Sequence, residues 1–381
     1  MNVYLDNAAT TKLDEEVLLS MLPYFSEDFG NPSSIHAYGR RARSGIENAR
    51  KTIAKLLGVA PSEIFFTSGG TEADNMAIRQ TIETFGIKHI ISSKIEHHAV
   101  EDTIKALEKS GLVNVSWVRI DEKGNVDLDN LEELLKSNSQ SLVSLMHANN
   151  EIGTLLPIEK VGALCEKYNA IFHSDTVQTI GHYKIRPKEI KLHFMACSAH
   201  KFHGPKGVGF IFVDHGHRIT PFMKGGAQER NMRGGTENIA GIVGLAKALE
   251  ISCDNLDSHM NRIQGLKNYM REKLIESIPG IEFNGEIENE KSLYTVLNCR
   301  FPAHPDAEML LFNLDILGIA ASGGSACSSG SEQGSHVLRG LGIDMSRPSV
   351  RFSFSKFTVS EEIDYTVNKL TALFAVKEKI L

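Results

Sequence analysis

No stretch of this sequence approaches the roughly 20 consecutive apolar residues of a membrane-spanning helix. The opening Met1-Asn2-Val3-Tyr4-Leu5-Asp6 also lacks a basic segment followed by an apolar one, so no secretory leader is read and a cytoplasmic location is expected. A basic block is missing too. With a net charge of -6 and both signs spread along the chain, neither nucleic acid nor a membrane surface is the expected partner. Cysteine is scarce: Cys165, Cys197, Cys253, Cys299 and Cys327 are odd in number and include no CxxC pair, which excludes a disulfide framework and a dedicated zinc cage. His215 and His217 lie in a turn-like Asp-His-Gly-His-Arg without a ligand set around them, so no intrinsic metal site is expected. What these absences leave is a small-molecule ligand, in a chain of 381 residues that can form one large domain and a smaller one.

The run Leu192-His193-Phe194-Met195-Ala196-Cys197-Ser198-Ala199-His200-Lys201 reads as a buried strand that delivers an amine. Parallel sheets place ligands beyond the carboxyl ends of their strands, so Lys201 is expected in a cleft, where an amine can form a Schiff base with an aldehyde. An unperturbed lysine is neutral only about once in 2,500 at pH 7, so the cleft must favour the neutral or imine form. Upstream, Glu63–Thr67 reads as a strand, Ser68-Gly69-Gly70 as a tight turn and Thr71 onward as a helix. That combination aims free backbone N–H groups and a helix dipole at an anion.

Strands are expected at 87–92, 113–120, 141–148 and 170–175, with helices at 39–57, 96–110, 128–136 and 158–168 between them. Such alternation predicts a mostly parallel sheet flanked by helices. Polar residues collect past the strand ends: Glu96 and His97, then Asn149, Asn150 and Glu151, then Asp175 and Gln178. Another strand is expected at 208–213, a Gly-rich, strand-free loop from Lys224 to Thr236, and helices over 236–252 and 256–277. The last third reads as a strand over 293–299, a helix over 304–317, a strand over 350–354 and a final helix from Ser360. The expected division is a large domain over 15–255 and a small domain from 1–14 and 256–381. The small domain carries Cys327 in a polar, Ser/Gly-rich loop at about 321–334. An amine, a phosphate-binding turn, an aspartate at the sheet edge and a thiol in a loop together describe a pyridoxal-phosphate enzyme with a catalytic cysteine.

The sequence resembles the NifS/IscS-type cysteine desulfurases of the class-V aminotransferase group nearly end to end. The resemblance is carried by Tyr4–Thr11, Gly30–Ser34, Thr67–Glu72, Glu96-His97, Asn149–Gly153, Asp175–Gln178, Ser198–Lys201, Arg233–Thr236, the Cys327 loop and Val350–Ser353. It implies an α/β fold of the fold-type-I pyridoxal-phosphate class, a large domain with a mostly parallel seven-stranded sheet and a smaller α+β domain, working as a homodimer. It implies that Lys201 joins the cofactor as a Schiff base, Asp175 pairs with the ring nitrogen, Gln178 meets the ring hydroxyl, and His97 stacks on the ring and helps move protons. Gly70, Thr71, Ser198 and His200 would hold the phosphate, Thr236 would reach in from the other subunit, and Asn150, also counted with the cofactor-binding residues, would grip the substrate carboxylate with Arg351. The implied reaction removes sulfur from L-cysteine, giving alanine and a Cys327 persulfide passed to an acceptor such as an iron–sulfur scaffold, where Cys327 would contact a nascent cluster. Selenocysteine lyase or another class-V lyase or aminotransferase is the alternative. Gly70 and Ala199 stand where members often have Ala or Ser and Gly. The sequence stops at Leu381, short of the C-terminal tail that longer members use with the scaffold, so that partnership is less expected than the chemistry.

Overall fold

The structure is a computed structural model that describes residues 1–138, 140–304, 309–324 and 334–375. Its strands are β1 (Val3–Tyr4), β2 (Ile64–Thr67), β3 (His89–Ser92), β4 (Asn114–Trp117), β5 (Ser141–Ser144), β6 (Ile171–Asp175), β7 (Phe194–Ser198), β8 (Gly209–Val213), β9 (Glu282–Asn284), β10 (Val296–Arg300), β11 (Ile319–Ala320) and β12 (Ser349–Ser353). Its helices are α1 (Glu15–Met21), α2 (Pro23–Ser26), α3 (Ala37–Leu57), α4 (Gly70–Phe85), α5 (His98–Lys109), α6 (Leu128–Ser137), α7 (Ile158–Lys167), α8 (Pro187–Ile190), α9 (Ile239–Asp254), α10 (Leu256–Ser277), α11 (Leu310–Ile316), α12 (His336–Gly340) and α13 (Ser360–Phe374). Among the described residues, no helix is long and apolar enough to cross a membrane.

A seven-stranded sheet in the order β2-β8-β7-β6-β5-β3-β4 forms the centre. Its β7-β6-β5-β3-β4 half is parallel, while β8 runs against both β7 and β2. The reversal has a simple cause: a parallel return needs a crossover of a dozen or more residues, and the 199–208 connection is too short for one. Strands β5 to β8 are buried along their whole length, which explains why they read as apolar runs rather than alternating ones. One apolar layer, including Ile53, Phe172 and Leu245, covers one face of the sheet, and another, including Met76, Ile90 and Ile211, covers the other.

A third core lies around the antiparallel sheet β12-β10-β9, with Met270 from α10 and Leu370 from α13 packed into it. The N-terminus belongs here. Strand β1 pairs in parallel with β11, Leu5 is fully buried in this core, and Asn7 Nδ2 donates to the Ser353 carbonyl at 2.8 Å.

Several elements differ from the pattern reading. The strand before Lys201 ends at Ser198, and a 3-10 turn, Ala199–Lys201, carries the lysine one turn beyond it. Helix α5 begins at His98 because the His97 ring caps it, Nδ1 accepting from the Ala99 N–H at 3.1 Å. The strands expected to reach 120 and 148 end at Trp117 and Ser144. The 224–236 loop contains a tight turn at Gln228–Asn231 with left-handed backbone at Glu229, Arg230 and Asn231, and helix α9 starts at Ile239 rather than 236. Strand β10 starts at Val296 rather than 293, and α11 accounts for Leu310–Ile316 of the helix expected over 304–317, of which residues 305–308 lie outside the described residues.

Candidate active site

A cavity of about 500 Å3 opens at the carboxyl ends of the parallel strands. Strand β6 ends in Asp175, β7 ends in Ser198, and α4 starts at Gly70, so three elements deliver their termini to one place. Gly69 caps α4 without a side-chain bond, which leaves the helix's first N–H groups turned toward the cavity. The turn fits because its neighbours are bare: a Cβ on Gly209 would lie 2.9 Å from Gly69 Cα and 2.1 Å from the Cys197 carbonyl oxygen.

Lys201 lines the cavity opposite this turn, its Nζ donating to the carbonyls of Ala8 and Ala9 at 2.6 and 2.9 Å. Asp175 is buried, and one of its oxygens accepts from the Val177 N–H at 2.9 Å. Burial pushes its carboxyl up, against the pull of His97 and Lys201. A cation placed beside it would relieve that cost. Burial likewise pushes His97 down, opposed by Asp175. Gln178 donates to the Ala8 carbonyl at 3.1 Å, and the His200 ring, pushed down to about 4 by burial, meets Thr10 Oγ1 at 3.1 Å.

At the other end stands Arg351, 1% exposed. Its Nη1 donates to the Asn150 carbonyl and its Nη2 to Asp6, each at 2.9 Å, while its Nε is buried with no hydrogen-bond partner. A buried guanidinium donor without an acceptor is costly, and an anion in the cavity would supply one.

The structure thus brings together Gly70, Thr71, His97, Asn150, Asp175, Gln178, Ser198, His200, Lys201 and Arg351 around one cavity. It does not bring in Thr236, which is exposed on the surface of its own chain and does not line the cavity. Cys327 lies outside the described residues. The other four cysteines are free and none lines the cavity; Cys165, Cys197 and Cys299 are buried, and burial pushes all four thiols up. Glu96, Asn149 and Glu151 sit behind the cavity rather than in it. Asn149 shapes the turn that contains Arg351's partner Asn150, its side-chain oxygen accepting from the N–H groups of Glu151 and Ile152 at 2.8 and 3.0 Å. Glu151 faces the residues on either side of 325–333: Ser335 Oγ donates to it, and a Cβ on Gly324 would lie 3.0 Å from its Oε2.

Sequence reading missed the carbonyls of Ala8 and Ala9, which come from the far end of the chain, and the ion pair of Glu72 with Arg233. Arg233 Nε and Nη2 meet the Glu72 carboxylate at 2.8 and 3.1 Å, tying the 224–236 loop to the first turn of α4. A Glu three residues after the Gly69 cap, with an Arg in the Gly-rich loop, was the available signal.

The model of the class-V aminotransferase family matches residues 3–366. The chain belongs to that family. Within this class-V group it is 43% identical over 373 residues to a protein named cysteine desulfurase IscS from Dictyoglomus turgidum, covering 97% of this chain and 93% of the relative. Among solved structures, one described as a NifS-like protein superposes with a TM-score of 0.90 at 38% identity, covering 98% of this chain and 99% of that one. A structure described as SspA in complex with cysteine superposes with a TM-score of 0.80 at 30% identity, covering 94% and 100%. The class-V chain is a cysteine desulfurase of the IscS/NifS group by these full-length matches. The donor set of its cavity suits a phosphorylated aldehyde cofactor with a basic ring nitrogen. It offers an open helix terminus for the phosphate, an amine for the aldehyde and a buried carboxyl that gains from a cation.

Proposed function

We propose that the chain binds pyridoxal phosphate and takes sulfur from L-cysteine, giving L-alanine and a persulfide on Cys327. The observation that carries this reading is one cavity holding an amine, a carboxyl with raised affinity for a proton and an arginine with an unpaired donor. When bound, the cofactor supplies an aldehyde that condenses with amines and a ring that withdraws electrons from the bonds at the substrate's α-carbon. Lys201 holds the aldehyde carbon, Asp175 the ring nitrogen and Gln178 the ring hydroxyl, with His97 against the ring. Gly70, Thr71, Ser198 and His200 take the phosphate, whose charge the dipole of the 16-residue α4 favours by about 0.3–1 kcal/mol.

Arg351 and Asn150 bind the substrate carboxylate, with Arg351 Nε as the donor that has no other partner. The bidentate fork implied by the resemblance is partly committed, since both Nη atoms already hold Asp6 and Asn150. Lys201 Nζ removes the α-proton, and the Ala8 and Ala9 carbonyls orient that amine between its two tasks. The Cys327 thiolate attacks the substrate sulfur: the new S–S bond forms as the Cβ–S bond breaks, and its electron pair leaves with carbon, which takes a proton to become the methyl of alanine. No outside oxidant is needed. The hydrogen bond of Ser335 to Glu151 and the closeness of Gly324 to the same carboxylate, next to Asn150, support a thiol tethered near this end of the cavity. We further propose a homodimer in which Thr236 serves the other copy's phosphate. Support comes from its exposure outside its own cavity and from the exposed apolar Leu19, Leu22, Phe25, Phe29 and Ile35. The two-domain division at 14/15 and 255/256 is part of the same reading, supported by the separate third core. The persulfide is passed to an acceptor protein in the cytoplasm, an iron–sulfur scaffold in this reading.

Alanine and sulfide formation from L-cysteine with a thiol reductant tests it. Activity is expected in the parent protein, with sulfide release lost in Cys327→Ala while the yellow cofactor remains, and both lost in Lys201→Ala. A yellow parent inert toward cysteine but active on selenocysteine overturns the substrate assignment.

A further inference from the structure

A second group of ligand-type side chains lies outside the cavity. His98 and Glu101 are three residues apart on α5, which puts them on one helix face, and His336 reaches them from α12. One donor atom from each lies within 4.8 Å of the other two. Glu101 Oε2 is 3.8 Å from His336 Nε2 and 4.0 Å from His98 Nδ1, and the two imidazole centroids are 4.3 Å apart. Asp102 Oδ2 stands 3.7 Å from His98 Nδ1. None of the four lines the cofactor cavity.

The group is not satisfied as it stands. His336 Nε2, the nitrogen that faces Glu101, also meets the Glu96 carbonyl oxygen at 2.9 Å, while Nδ1 is buried with no hydrogen-bond partner; a metal ion taking Nε2 would displace that contact and move the ring proton to Nδ1. Lys105 occupies only one oxygen of Glu101, Oε1 at 2.6 Å, and leaves Oε2 toward the imidazoles. Two imidazoles and a carboxylate are the donor set of open zinc sites, in which bond lengths near 2.1 Å bring ligand atoms to roughly 3.4 Å from one another. The 3.8 and 4.0 Å separations close to that with side-chain shifts of about half an ångström.

We propose that His98, Glu101 and His336 bind one divalent transition-metal ion of the zinc class, linking α5 to α12. Water or Asp102 completes the coordination. The ion would join the helix that follows His97 to the helix that follows residues 325–333, without touching the cofactor.

The test is Co2+ titration of the cofactor-loaded protein, followed by visible absorption, with Zn2+ added afterwards as competitor. The expected result is one equivalent of cobalt bound through nitrogen and oxygen donors and displaced by zinc. Affinity should fall by more than about 100-fold in His98→Asn and in His336→Gln, since even partners behind the ligands are worth 10–100-fold. Circular dichroism of the variants verifies folding, and Glu101→Gln provides a third variant should His336→Gln fail to fold. Absence of cobalt binding, unchanged affinity in the folded variants, or a thiolate-to-cobalt charge-transfer band would each overturn the proposal.

Discussion

In the proposed reading, Arg351 is the residue on which substrate recognition turns. Few side chains of its size are 1% exposed, and this one keeps a donor unpaired while Asp6 and the Asn150 carbonyl hold its other two nitrogens. A charge-assisted hydrogen bond in a sheltered site is worth about 1.5–3 kcal/mol. Lysine would keep the charge but lose the planar fork, and with it the simultaneous hold on Asp6, Asn150 and a carboxylate. Arg351→Lys is therefore expected to lower kcat/KM for L-cysteine by about 10- to 100-fold, mainly through KM, in steady-state alanine assays. Cofactor absorbance should be unaltered. A loss confined to kcat would place Arg351 in the chemistry rather than in binding.

At the scale of elements, the 224–236 loop is held by two carboxylates set in opposite senses. Glu229 accepts from both Nη atoms of Arg50 at 2.8 Å and from the Phe66 N–H at 2.7 Å, fastening the loop to α3 and β2. Glu72, on α4, reaches outward to Arg233 of the same loop. Burial works to raise the Glu72 carboxyl, but its hydrogen bonds from Arg233 and Ser68 hold it below the ordinary value. The turn carrying Glu229, Arg230 and Asn231 has φ of 43°, 56° and 67°, conformations that residues other than glycine rarely adopt. The Arg50 pair holds that turn in place. Removing one member of a buried pair leaves an uncompensated charge, so Glu229→Ala should cost about 3–5 kcal/mol in urea unfolding. The Arg50→Met/Glu229→Leu double variant should recover most of that loss. A Glu229→Ala protein as stable as the parent would mean the pair is not what secures the loop.

At the scale of the whole molecule, Lys267 of α10 shows how the third core tolerates a charge. It is 1% exposed, with Nζ donating to Ser292 Oγ and the Leu293 carbonyl at 2.6 and 2.9 Å, and burial pushes it down to about 7. The unfolded chain holds that proton up to about pH 10.4 while the folded one releases it near 7, so the unfolded state binds more protons across this window. Stability contributed by this site therefore rises with pH from about 7 to 10, by at most roughly 1.4 kcal/mol per pH unit. Urea unfolding at pH 7, 8 and 9 should show that rise in the parent and a flatter profile in Lys267→Met. Parallel profiles would refute it.

How much of this was legible in the sequence depends on how far apart the cooperating residues lie. Asp175, Ser198 and Lys201 were readable because they end or closely follow two apolar strands, β6 and β7, and Gly70 because its turn and helix are adjacent in sequence. The direction of β8 was not, since an apolar run looks the same in either orientation and only the length of the connection decides. His336 and Glu101 stayed hidden because 235 positions separate them and neither has a motif of its own.

The N-terminal segment has a consequence in time as well as in space. Ala8 and Ala9, whose carbonyls receive the Lys201 amine, are set in place by Asn7 and Ala8 bonding to Ser353, and Asn7 and Ser353 are 346 positions apart. A ribosome adding about 5–20 residues per second makes the first of these partners tens of seconds before the last. In the later part of that interval, once residue 213 has been added, the nascent chain possesses the residues of its central sheet and its lysine, yet lacks the strand that fixes the wall against which the amine rests. If the cavity binds its cofactor as proposed, capture belongs to the end of synthesis, when the last strand has emerged to fix the first.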